Sequence, residues 1–207
     1  MSDPSPGLYL VTPVLTEAES FLPALREALA SAAIASLLLR LGPLEDARAA
    51  RLVRDIVEPT QATGAALIVD GAPELVLEAD ADGAHVEGVG APLKDAIKRL
   101  SPRYIVGAGA LATRDEAMTA GEAGADYVLF GDDAAPLDPP ALLERVNWWA
   151  EIFNTPCVAF ARSLEEVGPL VAAGADFVML GDCVWSDPRG PAAAILHARR
   201  VIAEQGA

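Results

Sequence analysis

Short aliphatic and β-branched runs alternate along this chain with longer amphipathic, Ala-rich stretches, and the alternation predicts βα units around a parallel sheet. The runs fall at 8–11, 34–39, 65–69, 83–86, 104–106, 127–130, 157–160 and 177–180, which predicts eight strands. Helices are predicted at 17–30, 44–57, 73–79, 93–100, 114–123, 140–152, 164–173 and 192–204. Thr16, Thr113 with Glu116, and Ser163 with Glu166 read as N-caps or capping boxes; Gly124 and Gly174 stand where left-handed C-caps would end their helices.

An internal repeat organises these units. Glu122-Ala123-Gly124-Ala125-Asp126-Tyr127-Val128-Leu129-Phe130-Gly131-Asp132 recurs as Ala172-Ala173-Gly174-Ala175-Asp176-Phe177-Val178-Met179-Leu180-Gly181-Asp182, and Ala81-Asp82-Gly83-Ala84-His85-Val86 is a weaker copy. The copies fall on the fourth, sixth and eighth strands, an alternating relation that suits a barrel, whose interior layers are filled by alternate strands. An open doubly wound sheet would bring a Gly-rich phosphate turn after its first strand, and Thr12-Pro13-Val14 does not supply one. The predicted fold is a single (β/α)8 TIM barrel spanning residues 1–207.

Composition narrows the partners. With 207 residues, 52% hydrophobic and 22% charged, the chain can bury one substantial core. A formal charge of −15 without a basic patch predicts no binding to nucleic acid or to anionic membranes, leaving a small-molecule ligand, with self-association open. The start lacks a basic leader and no stretch reaches about 20 uninterrupted apolar residues, so a cytoplasmic protein is expected. Two cysteines, Cys157 and Cys183, are too few for a disulfide scaffold and read as core or near-site residues.

In this fold chemistry sits at the C-terminal strand ends, which selects Thr12, Arg40, Asp70, Glu87, Gly109, Asp132, Arg162 and Asp182. Asp70, Glu87, Asp132 and Asp182 can form a carboxylate ring for a hard cation or a cationic ligand; Asp132 and Asp182 can equally cap the loops that follow them. Arg40, closing an apolar strand, would meet a carboxylate or a phosphate. His85 lies within a strand and reads as a satisfied rim histidine or a general base. His197 reads as surface, and Trp185 is a candidate lid or ligand wall. No Walker loop, zinc-type cluster, GxSxG elbow or GxGxxG turn is present.

Several of these segments carry a family resemblance. Leu8-Tyr9-Leu10-Val11-Thr12, Asp82-Gly83-Ala84-His85-Val86, Gly124-Ala125-Asp126-Tyr127-Val128-Leu129-Phe130-Gly131 and Pro156-Cys157-Val158-Ala159-Phe160 resemble, in order, successive strands of thiamine phosphate synthase and its relative TenI. The resemblance implies a reaction joining an aminopyrimidine diphosphate to a thiazole phosphate, with magnesium and cationic side chains stabilising the departing diphosphate. On that basis Arg40, Asp70 and His85 are the catalytic candidates, Arg40, Arg162, Asp132 and Asp182 the phosphate or ligand contacts, and Asp70 the ligand to Mg2+.

The family's other functional positions are substituted. Its Gln-x-Arg-x-Lys stands here as Leu38-Leu39-Arg40-Leu41-Gly42, its Asn-Asp-Arg as Asp70-Gly71-Ala72, and the aspartate five residues after the histidine as Gly90. Gly-x-Ser-x-His becomes Gly107-Ala108-Gly109-Ala110-Leu111, the Thr-Lys after the sixth strand becomes Asp132-Asp133-Ala134-Ala135-Pro136, and the phosphate cup becomes Ala161-Arg162-Ser163 and Gly181-Asp182. A carboxylate about 4 Å from a phosphate is repelled by roughly several kcal/mol at an effective dielectric near 20. Three functions follow as expectations: a synthase with a reduced site, a non-catalytic ligand-binding or regulatory barrel, or a repurposed enzyme with an acidic mouth.

Overall fold

A computed structural model describes residues 5–205; residues 1–4, on which part of the expectation about a leader rests, and residues 206–207 lie outside it. The strands are β1 Gly7–Val11, β2 Ser36–Leu39, β3 Ala66–Asp70, β4 Gly83–Glu87, β5 Ile105–Gly109, β6 Tyr127–Phe130, β7 Cys157–Ala161 and β8 Phe177–Leu180. All pair in parallel in sequence order, and β8 pairs with β1 (Leu8 opposite Val178), so the sheet closes into an eight-stranded barrel rather than staying open. The helices are α1 Leu22–Ser31, α2 Asp46–Gln61, α3 Pro73–Ala79, α4 Ala91–Leu100, α5 Arg114–Ala123, α6 Pro139–Ile152, α7 Val167–Ala172, α8 Asp182–Trp185 and α9 Pro191–Gln205. Among the described residues no helix is long and apolar enough to cross a membrane.

The period of two along each strand sorts the side chains. Tyr9, Val11, Leu38, Ile68, Tyr127, Leu129, Val158 and Met179 fill the barrel interior, while their neighbours Leu8, Leu10, Leu37, Leu39, Val128 and Phe130 join the helices in the larger outer core. β5 runs further than its aliphatic residues suggest, through Gly107 and Gly109, because the barrel needs space there. A Cβ on Gly107 would overlap the Tyr127 ring, and one on Gly109 would overlap His85.

Local signals mostly held. Thr113 and Glu116 form a reciprocal capping box, and Gly124 (φ 95°) and Gly174 (φ 96°) adopt the left-handed conformation expected of them. Thr16 does not cap a helix: Leu15 N–H donates to Arg40 C=O at 2.9 Å and Gly42 N–H to Leu15 C=O at 2.8 Å, so this segment extends the β1–β2 ladder and α1 starts later, at Leu22 with Pro23 in its first turn. Ser163 makes no side-chain cap, and Glu166 instead accepts from the Arg162 N–H at 2.8 Å.

The repeat has a physical cause. Asp82 N–H donates to Leu67 C=O (2.9 Å) while its carboxylate accepts from the Leu67 N–H (2.7 Å); Asp126 does the same with Val106 (2.8 and 2.8 Å) and Asp176 with Cys157 (3.1 and 2.8 Å). Each aspartate clamps the start of the preceding strand, at the end of the barrel away from the mouth.

Candidate functional site

The mouth pocket is lined by Val11, Leu38, Arg40, Asp70, His85, Glu87, Leu129, Asp132, Asp133, Ala134, Phe160 and Met179. Arg40, Asp70, His85 and Glu87 share the inward parity of Leu38, Ile68 and Gly83, so strand geometry alone delivers them to it. Asp132 is out of phase with Tyr127 and Leu129, and Gly131, at φ 79°, turns the chain so that it reaches the pocket. The pocket encloses ≈ 70 Å³, well below the roughly 300–1,000 Å³ of sites for drug-sized ligands.

The six predicted site residues divide. Arg40, Asp70, His85 and Asp132 converge on the pocket; Arg162 and Asp182 do not line it. The Arg162 guanidinium donates to Gly131 C=O at 3.0 Å and to Leu137 C=O at 3.4 Å, bracing the β6–α6 loop. Asp182 opens α8 and is exposed, and no ion pair joins it to Arg162 among the described residues. Trp185 is no lid: its indole N–H donates to Val11 C=O and its ring meets Phe21 edge-on at 4.8 Å, which pins α8 under the barrel wall. Cys157 is buried, its thiol pushed up to about 12 by desolvation, and neither cysteine lines the pocket.

Charge in the mouth is mostly negative. Arg40 is the one cation among the lining residues, and it is engaged, with Nε donating to Thr12 C=O at 2.8 Å and a terminal nitrogen donating to Asp133 at 3.4 Å. Burial first, and the neighbouring Glu87 second, raise the Asp70 carboxyl to about 6, against a smaller lowering by Arg40. Burial lowers His85 to about 4, partly opposed by Asp132, so the imidazole is neutral at physiological pH. Asp132 accepts from Ala110 N–H and Ala135 N–H, both at 2.7 Å, so each of its oxygens already holds a backbone donor.

The resemblance implies magnesium held by carboxylates of this mouth. Among the described residues no three of His, Cys, Asp and Glu are grouped to hold a metal ion. At the two positions where the family's metal carboxylates would stand, Gly71 has φ 68° and Gly90 φ 119°, conformations that side-chain-bearing residues rarely adopt.

The Thiamine monophosphate synthase family model matches residues 8–184. The chain belongs to this family. Thiamine-phosphate synthase of Rhodospirillum centenum is 36% identical over 204 residues, covering 94% of this chain and 97% of that protein, and the one from Hyphomonas neptunium is 36% identical over 202 residues, covering 93% and 91%. Among solved structures, thiamine phosphate pyrophosphorylase from Pyrococcus furiosus superposes with a TM-score of 0.81 at 22% identity over 96% of each chain, a likeness of fold. 3-Hexulose-6-phosphate synthase from Salmonella typhimurium has the same architecture (TM-score 0.75, 14% identity, 96% of this chain and 99% of that one).

Two groups under the mouth escape a reading confined to strand ends. Tyr127 and Tyr9 lie one layer below, and the Tyr127 hydroxyl is 2.9 Å from His85 Nδ1 and 2.9 Å from the Tyr9 hydroxyl. The available signal was parity: both tyrosines sit on inward positions, and Gly107, facing Tyr127, leaves room for its ring.

Proposed function

We propose that this member of the thiamine phosphate synthase family binds one small nitrogen heterocycle of the aminopyrimidine kind at its mouth, and that it lacks the part of the synthase reaction that handles diphosphate. The carrying observation is the donor set: Asp70, Glu87, Asp132 and Asp133 line the pocket with a single guanidinium that is already engaged. A diphosphate would bring several negative charges among these carboxylates with one guanidinium, already shared with Thr12 and Asp133, to receive them. Amino groups and protonated ring nitrogens suit carboxylate acceptors, and Leu38, Leu129, Phe160 and Met179 offer apolar walls to a flat ring. Asp70, held at about 6, changes between donor and acceptor over a narrow pH span. No step of this reading runs through magnesium.

The 36% identity to synthases over nearly the whole chain favours a second reading, in which the family reaction proceeds with Arg40 as the phosphate contact. One experiment separates them. The purified protein is titrated calorimetrically with the aminopyrimidine alcohol and with its diphosphate, and then assayed with the diphosphate, thiazole phosphate and magnesium for thiamine phosphate formed. The first reading expects the alcohol to bind about tenfold or more tightly than the diphosphate, about 1.4 kcal/mol, with no product. Product that disappears in Arg40→Ala establishes the second reading and ends the first.

A further inference from the structure

His85, Tyr127 and Tyr9 form a chain of hydrogen bonds across the barrel interior, from the mouth pocket to a second cavity of ≈ 200 Å³ at the opposite end. All three side chains are buried, and the Tyr127 ring stacks on the imidazole, with centroids 5.6 Å apart and planes 14° from parallel. Gly107 and Gly109 accommodate this arrangement, since a Cβ on either would overlap Tyr127 or His85. The chain is therefore a built feature of the interior, occupying space that aliphatic side chains fill elsewhere in the barrel.

The surroundings of its two ends set its direction. The two hydroxyls carry one hydrogen each and the neutral imidazole carries one N–H, on either Nδ1 or Nε2. Three hydrogens share two bonds, so one is left at an end of the chain: with Nδ1 protonated it is the Tyr9 hydrogen, at the lower cavity, and with Nε2 protonated it is the imidazole N–H, at the mouth. The mouth suits that leftover hydrogen better, because Asp70, Glu87, Asp132 and Asp133 line it with acceptors, whereas Ile105, Pro156, Val158 and Phe177 make up much of the lining of the lower cavity. In that arrangement Tyr9 donates to Tyr127, Tyr127 donates to Nδ1, and the Nε2–H is the hydrogen left to the mouth. Burial raises both phenols well above their ordinary range, so both keep their hydrogens to donate.

We infer that Tyr127 is a positioning residue that locks His85 as the neutral tautomer protonated on Nε2, with Tyr9 closing the chain behind it. Nε2 lies on the mouth side: a Cβ on Gly109 would overlap it and stand 2.8 Å from Asp132 Oδ2, so the two groups flank Gly109 at the pocket floor. With Nδ1 occupied by Tyr127, His85 has no free lone pair. It serves the mouth as a fixed hydrogen-bond donor, as neutral imidazoles do at other sites, and not as a general base. Resting on the ligand reading above, this sets a specificity: the bound molecule must present an acceptor, a ring nitrogen or an oxygen, to that N–H.

The test needs no ligand. Only two histidines are present, His85 and the α9 residue His197, whose Nδ1 lies 2.9 Å from Arg200, so a ¹⁵N-histidine-labelled sample gives two readily distinguished imidazoles. At pH 7.5 the expected spectrum for His85 has a directly bonded proton on Nε2 and an unprotonated Nδ1. Tyr127→Phe is expected to release the lock, giving tautomer-averaged ¹⁵N shifts for His85 with those of His197 unchanged. In Tyr9→Phe, Tyr127 still has Nδ1 to donate to, and the Nε2–H signal is expected to persist. A wild-type Nδ1–H tautomer would overturn the proposal outright and send the Tyr9 hydrogen into the lower cavity. An unaltered Nε2–H signal in folded Tyr127→Phe would overturn the role of Tyr127. The wild-type spectrum stands even if that variant fails to fold, and ligand binding bears on neither result.

Discussion

At the base of the barrel Asp82, Asp126 and Asp176 do one job three times, each bonded through both backbone and side chain to the first residues of the preceding strand. At the mouth, the aspartates that end the two longer copies of the same repeat have parted company. Asp132 reaches into the pocket and holds two backbone N–H groups, whereas Asp182 opens a four-residue helix and faces solvent. The two ends are built from one repeated sequence, yet only the base has kept its equivalence. Closing a barrel makes the same demand at every strand start, while loops at the strand ends are free to diverge and carry function.

Removing all three base clamps tests this contrast with the largest expected effect. Asp82→Ala, Asp126→Ala and Asp176→Ala each strand a backbone N–H at an edge partly open to water, for about 1 kcal/mol apiece. The sites are separate, so the triple variant is expected to lose about 3 kcal/mol in urea melts while mouth ligand binding stays unchanged. A triple variant as stable as the parent would mean that the repeat is not a stability device.

The mouth is expected to show the opposite sign. Asp70 is held at about 6, above its ordinary 3.8, so the folded chain binds its proton more tightly than the unfolded chain, and stability is lost as pH rises through that window. His85 is held at about 4, below its ordinary 6.5, so its contribution is present above 6.5 and lost as pH falls towards 4. Between about 4 and 6 the two slopes oppose. Asp70→Asn is therefore expected to gain about 2 kcal/mol at pH 7.5 and to show a steeper loss on acidification from 6.5, because the His85 slope is no longer offset. Chemical denaturation at pH 7.5, 6 and 4.5 checks both; a destabilised variant at pH 7.5 would show that Asp70 is paired rather than strained.

Much of this was legible in the sequence, for reasons tied to period. Eight apolar runs with helical segments between them predicted the barrel, and the strand-end rule selected Arg40 and Asp70; that these converge with His85 is not readable from the runs and follows from the strand parity the structure shows. Asp132, Arg162 and Asp182 lie at or past the last strand residue, where one left-handed glycine or a new helical turn redirects the chain. Parity does not extend there, and the structure places Arg162, expected as a phosphate or ligand contact, as a brace of the β6–α6 loop and Asp182 at an exposed helix start, both off the pocket lining. The β5 strand was cut short because Gly107 and Gly109 carry no strand signal, although their lack of side chains is what admits Tyr127 and His85. The tyrosine chain was invisible to a search for strand-end residues, since it lies one layer below the mouth.

Asp132 should couple the two kinds of role that the ends keep apart. Truncating it in Asp132→Ala strands the Ala110 and Ala135 N–H groups and removes a carboxylate from the pocket, so a loss of about 1 to 2 kcal/mol in stability should accompany weaker heterocycle binding. Unchanged binding in a destabilised variant would reassign it to the loop alone.

The smallest expected effect belongs to Asp182, and it is the one that most sharpens the contrast. The resemblance implies a phosphate cup that includes the loop after the eighth strand, where this chain carries Gly181-Asp182. Here the Asp182 side chain is exposed, lies outside the pocket and makes no ion pair with Arg162. Position gives it one modest asset: a carboxylate in the first turn of a helix is favoured by the unpaired N–H groups there, but a four-residue helix develops little dipole. Asp182→Ala is therefore expected to stay within about 0.5 kcal/mol of the parent and to leave aminopyrimidine binding unmoved. If Asp182→Ala instead gave the protein measurable affinity for inorganic phosphate, the backbone of the old cup would still be intact. The carboxylate would then be what keeps phosphate out, and the divergence of the mouth would rest on that one side chain rather than on the loops.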